Sequence, residues 1–159
     1  METRISRLSP EIGEQLSHME IWIVEDHPAL RESIVVQLSL EGFQSITEFP
    51  DGKPALEEMQ RRIRDGKPLP ALIITDYNMP IMDGENLIKE LTVIFETQHI
   101  SPHPSIIFHS FFQAPQLEMD LWKQRLQPFD VEAIIQKSAS PELLITTAFE
   151  TLLKKLGSD

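Results

Sequence analysis

Cysteine is absent from the chain, which excludes a disulfide framework, a thiol nucleophile and a thiolate zinc site and fits a reducing cytoplasm. Long apolar runs are missing too. No stretch approaches the roughly 20 residues of a spanning helix, and residues 1–20 carry several charges and no apolar signal core. A cytoplasmic protein without membrane insertion is the expectation. Positive charge is in deficit: 14 Lys and Arg against 25 Asp and Glu give a formal charge of -11, a surface that repels phosphate backbones and argues against direct nucleic-acid binding. The densest basic group, Arg61, Arg62, Arg64 and Lys67, reads as the solvated last turn of a helix, where cations complement the dipole. Gly/Ser linkers and internal repeats are lacking, and 159 residues suit one core.

What is present is an alternation of apolar strands and amphipathic helices. Residues 1–19 form an N-terminal extension in which Ser9-Pro10-Glu11 opens a short helix through Ile12 and Leu16; residues 20–159 form the main domain. Strands are expected at residues 21–26, 43–49, 71–76, 105–110 and 131–136. Helices follow at 28–38, 54–64, 86–96, 116–126 and 141–156, the last capped by Ser140, with Gly42 ending the first. Pro50-Asp51-Gly52 is read as a turn. Five β-α units of this kind predict an α/β fold, a parallel sheet covered on both faces with right-handed crossovers.

Two of the strands end abruptly in acid: Ile21-Trp22-Ile23-Val24-Glu25-Asp26 and Leu72-Ile73-Ile74-Thr75-Asp76. Ligand sites of open α/β sheets lie at the carboxyl ends of the strands, so Glu25, Asp26 and Asp76 should converge. At 4 Å and an effective dielectric of 20, two like charges repel by about 4 kcal/mol, so the cluster requires a counter-charge or a proton. Oxygen-rich sites of this kind suit magnesium or calcium.

Taken in order, the pair Glu25-Asp26, the segment Asp76-Tyr77-Asn78-Met79-Pro80-Ile81-Met82-Asp83-Gly84, Ser110 at the end of strand four and Lys137 at the end of strand five resemble the receiver domain of bacterial two-component response regulators. The resemblance covers about residues 20–156. It implies a flavodoxin-like, doubly wound five-stranded sheet in the order 2-1-3-4-5 with five flanking helices. By the same resemblance, Asp76 would accept a phosphoryl group from a sensor histidine kinase or a histidine phosphotransfer protein. Asp26, Asp76 and the backbone carbonyl of Asn78 would hold Mg2+, with Glu25 acting through water. Lys137 would pair with Asp76 and then with the phosphoryl group, and Ser110 would sense it. The expected protein is a stand-alone phospho-switch that binds a downstream protein target, with no output segment and no enzyme activity beyond its own phosphorylation and dephosphorylation. The N-terminal extension is a candidate element for pairing two copies.

Blander roles compete for single residues. Glu25 and Asp26 could cap the helix that begins at Pro28, Asp76 could serve a turn, and Lys137 and Ser110 could be ordinary solvated and satisfied groups. His99 and His103 flank a proline loop and are assigned to the surface, His27 sits beside the acids, and His109 within strand four is expected to be a hydrogen-bonded core residue. Four features depart from the family. Phe111 and Phe112 follow Ser110 where a small residue is usual, and a narrowed entrance to Asp76 is expected. Ile134 occupies the position of a switching aromatic, Ser138 replaces a proline after Lys137, and the loops on either side of strand four are long. These departures motivate the alternative of a pseudo-receiver adaptor that acts without phosphate. A Mg2+-dependent phosphatase with an aspartyl nucleophile fits less well, because Glu25-Asp26-His27-Pro28 lacks its second aspartate.

Overall fold

Apolar strands buried on both faces form a parallel sheet when helices cover each side, and the chain does this. The computed structural model describes residues 2–111, 124, 126 and 129–157. Helix α1 (Pro10–Ser17) is followed by β1 (Ile21–Val24), α2 (Pro28–Leu40), β2 (Ile46–Phe49), α3 (Gly52–Asp65) and β3 (Leu72–Asp76). Then come α4 (Gly84–Thr97), β4 (Ser105–Ser110), β5 (Asp130–Gln136) and α5 (Pro141–Leu156). The strands lie in the order β2-β1-β3-β4-β5, all pairs parallel. This is the flavodoxin-like arrangement. The helix expected at residues 116–126 lies outside the described residues but for Gln124 and Leu126.

Side chains of the central strands alternate between two cores. Ile21, Ile23, Leu72, Ile74 and Ile107 meet α2 and α5 on one face, while Trp22, Val24, Ile73, Ile106 and Phe108 meet α3 and α4 on the other. Each such isoleucine contributes about 1.5–3 kcal/mol by leaving water. The N-terminal extension joins the first core through Ile5 and Leu16, and Arg4 ties it to Glu41 at 3.3 Å and to Glu142.

Local chemistry sets the helix ends. Asp51, Asp83 and Ser140 accept from the amides of Lys53, Asn86 and Glu142 at the starts of α3, α4 and α5, and Gly66 closes α3 in the left-handed region. The second strand begins at Ile46, not at residue 43, because the amides of Phe43 and Gln44 bond back to Leu38 O and Ser17 O. The basic cluster also differs from expectation. Arg61 and Arg64 are exposed, whereas Arg62 bridges Glu20 and Glu58 with its guanidinium carbon 5.3 Å from the Trp22 ring.

Candidate functional site

Parallel strands that all run one way bring their carboxyl-terminal residues to one edge of the sheet, and the acids meet there. Glu25 leaves β1 with its amide on Phe49 O at 3.0 Å, and Arg31 Nη1 donates to its carbonyl at 2.6 Å. Asp76 is the last residue of β3. Lys137, just past β5, donates its amide to Ser110 O at 2.6 Å, which joins the ends of β4 and β5. Its side chain, 2% exposed, places Nζ 2.9 Å from Asp76 Oδ2 and 2.9 Å from Glu25 Oε1. The Lys137–Asp76 pair matches the resemblance; the Lys137–Glu25 pair was not expected.

The donor atoms of Glu25, Asp26, His27 and Asp76 lie within 4.8 Å of one another. Helix α2 starts beneath them, but neither acid caps it in the usual way: His27 holds the N-cap position and no side-chain cap bond forms. Instead the His27 amide donates to Glu25 Oε2 at 3.1 Å, and His27 Nδ1 lies 3.3 Å from both Glu25 Oε2 and Asp26 Oδ1. Asp26 Oδ1 has no hydrogen-bond partner among the described residues. Hard carboxylate oxygens with an unbonded one among them fit a small divalent cation such as Mg2+.

Electrostatics follow from this crowding. Burial, with Glu25 and Asp26 close by, pushes the Asp76 carboxyl up to about 6 against the opposing pull of Lys137. Burial works against the Lys137 ammonium, but pairing with Glu25 and Asp76 wins and raises it above the ordinary lysine value. Asp26 is held below the ordinary aspartate value: the upward push of burial is outweighed by Glu25, Asp76 and the His27 imidazole.

The loop after Asp76 is pinned by Asp51 and Gly52, which do more than form the expected turn. Buried Asp51 accepts from Ile81 N at 3.1 Å and Met82 N at 2.9 Å, besides Lys53 N at 3.1 Å. Gly52 N donates to Met82 O at 3.2 Å, and Gly84 N to Tyr77 O at 2.9 Å. Asn78, within this loop, donates its amide to Asp76 Oδ1 at 3.3 Å. An Asp-Gly pair after a strand was the available signal for Asp51, but its distant partners were not. Ser110 is 3% exposed at the end of β4. Phe111 lies over the site, its ring 4.7 Å from Lys137 Nζ while 66% of the residue faces solvent; Phe112 is outside the described residues.

His109 is buried as expected, but its Nδ1 has no hydrogen-bond partner among the described residues. Burial, aided by Lys137, lowers its pKa from 6.5 to about 4. A histidine that is neutral when folded and titrates normally when unfolded adds stability above pH 6.5, and that stability is lost as the pH falls toward 4. Urea unfolding at pH 7 and pH 5 should therefore show His109→Leu losing about 2 kcal/mol less than wild type on acidification; equal losses would refute the assignment. His103 also differs from a plain surface residue, since its ring packs 5.7 Å from Phe95 and 5.5 Å from Phe129. His99 is exposed.

A cavity of about 810 Å3 lined by Glu20, Arg62 and Leu69 sits at the opposite, amino-terminal edge of the sheet, so cavity size does not locate these acids. No helix among the described residues is long and apolar enough to cross a membrane.

Comparison with known proteins gives a consistent result. The response regulator receiver domain model matches residues 21–149. The probable transcriptional regulatory protein NarL of Mycobacterium tuberculosis is 30% identical over 105 residues, 62% of this chain and 46% of that protein. Chemotaxis protein CheY-3 of Vibrio cholerae is 31% identical over 83 residues, 52% of this chain and 59% of that protein. The matched region thus spans about half the length of these relatives. Among solved structures, the signal receiver domain of NarL from Mycobacterium tuberculosis superposes with a TM-score of 0.63 at 20% identity, covering 86% of this chain and 97% of that one. A CheY-like receiver domain protein from Methanospirillum hungatei gives 0.66 at 20% identity, covering 90% and 100%.

Proposed function

The chain belongs to the response regulator receiver domain family, and from that premise we propose that Asp76 accepts a phosphoryl group from a phosphohistidine donor and that its phosphorylation switches protein binding. Receiver domains interact with histidine kinases or phosphotransfer proteins, which makes these the donor class. The observation that carries the reading is the buried Lys137 ammonium held 2.9 Å from both Asp76 and Glu25, with Asp26 beside them.

An Asp76 carboxylate oxygen attacks phosphorus in line, the new P–O bond forms as the P–N bond to the donor imidazole breaks, and the imidazole takes up a proton. Lys137 is already placed to follow the charge from the carboxylate to a phosphoryl oxygen. The Ser110 hydroxyl, at the end of the neighbouring strand, donates to a second oxygen and draws β4 toward the site. Asp26, Asp76 and the Asn78 carbonyl would hold Mg2+, with Glu25 acting through water. When bound, Mg2+ supplies positive charge against the equatorial oxygens. The acceptor is the chain's own residue, so the protein acts as a cytoplasmic switch or relay toward a downstream protein target and not as an enzyme with turnover. With Ile134 at the usual aromatic position, conformational change on phosphorylation would pass through other packing on that face.

A second reading, the pseudo-receiver adaptor, draws on Phe111, whose ring lies over the cation that the phosphoryl group needs. Amide spectra recorded with beryllofluoride and Mg2+ separate the two: shifts at Asp76, Ser110 and Lys137 support the switch, and an unchanged spectrum supports the adaptor. If Phe111 acts as a cover, Phe111→Ala should speed both labelling by small phosphodonors and loss of phosphate by about fivefold, the rate equivalent of a cation–π contact of about 1 kcal/mol. Unchanged time courses would remove that role.

A further inference from the structure

His27 stands among the acids, with its Nδ1 in hydrogen-bond contact with Glu25 Oε2. Its side chain makes no cap bond to α2, is 61% exposed, and directs Nδ1 to 3.3 Å from one oxygen each of Glu25 and Asp26. In an octahedral site with metal–ligand distances of about 2.1 Å, neighbouring donors are separated by about 3 Å and opposite donors by about 4.2 Å. The 3.3 Å separation of His27 Nδ1 from Asp26 Oδ1 has about the length of such a neighbouring edge, and the full set with Glu25 and Asp76 spans 4.8 Å. The ring therefore reaches the volume that the carboxylates enclose with only a small contraction.

We propose that His27 is a nitrogen donor to the cation bound by Asp26 and Asp76, and that it makes this site select the borderline dication Zn2+ over Mg2+. The inference rests on reading the acidic cluster as a metal site. Mg2+ binds through oxygen and water and gains little from an imidazole, whereas Zn2+ takes imidazole readily and lies above Mn2+ in the first-row affinity order. A site of carboxylates alone has no such nitrogen term. Replacing His27 should thus change the ratio of affinities, not all of them together.

Calorimetric titration of the full chain with Mg2+, Mn2+ and Zn2+ tests this on wild type, His27→Ala, His27→Gln and Asp26→Asn. His27→Ala and His27→Gln should each lower Zn2+ affinity at the Asp26-dependent site by at least about tenfold, Mn2+ affinity by less, and leave Mg2+ affinity within about twofold. Nitrogen-detected imidazole spectra should show the His27 Nδ1 resonance moving on stoichiometric Zn2+ and staying still on Mg2+. Equal losses for Mg2+ and Zn2+, or Zn2+ binding indifferent to His27, would overturn the proposal and leave the metal site standing. Absence of any Mg2+, Mn2+ or Zn2+ binding that depends on Asp26 would overturn the metal-site reading itself.

Discussion

Asp76→Asn should take up no phosphoryl group from a phosphohistidine donor under conditions where wild type is labelled within minutes, as read by an acid-labile gel shift. The amide has no anionic oxygen to attack phosphorus, and no other carboxylate shares its position. Asp26 lies in the loop before α2, outside β3, and Glu25 is engaged by Lys137 and His27. The variant should also fold at least as well as wild type, which makes the loss interpretable. A carboxyl whose folded pKa is raised from 3.8 to about 6 is a destabilising charge above pH 6. That cost is present at neutral pH and disappears as the pH falls toward the unfolded value. Asparagine removes it, so the unfolding midpoint at pH 7.5 should stay level or rise. Label retained by the variant would sink the assignment of Asp76 as acceptor. A collapsed midpoint would show that the Lys137–Asp76 pair supports the fold more than its buried charge costs.

Gly84→Ala should destabilise the fold by about 3 kcal/mol or more, the upper range for forced overpacking, and should slow phosphorylation in whatever fraction remains folded. A Cβ at this position would stand 2.2 Å from the carbonyl oxygen of Asp76 and 3.2 Å from a ring carbon of Phe108. The obstacle is backbone, which cannot rotate aside. Relief requires α4 to back away from β3, breaking the Gly84 N–Tyr77 O bond and shifting the loop that carries Asn78. Gly66→Ala is the matched control, with a left-handed backbone but open space around it; it should cost only about 1 kcal/mol. Denaturant unfolding of the two variants checks the order. Similar losses would mean that backbone freedom, and not close approach, accounts for Gly84.

The same glycine marks the boundary of sequence reading. It was visible as the last residue of the segment beginning at Asp76, yet nothing in the spacing indicated that it must admit a carbonyl oxygen. Strand–helix alternation was legible because burial imposes periods of two and 3.6 residues on consecutive side chains, and Ser140 and Gly42 marked ends through their own backbone chemistry. The convergence of Glu25, Asp26 and Asp76 was legible for a topological reason: parallel strands deliver their final residues to one edge. Limits appeared where the partner came from elsewhere. Residue 43 looked like strand but bonds to the end of α2, Arg62 looked solvated but lies on Trp22, and Asp51 looked like a turn but holds the loop at Ile81 and Met82.

The sequence by itself determined the element order, the faces that each strand and helix would bury, and the acids gathered at one edge of the sheet, because each depends on residues near one another along the chain. Only the tertiary structure decided that one ammonium would serve Glu25 and Asp76 together, that Phe111 would lie over it, and that His27 would turn toward the acids instead of capping α2. Those contacts join elements distant in the chain, and strand register and loop path set their geometry to within a few tenths of an ångström, a precision that periodicity does not carry.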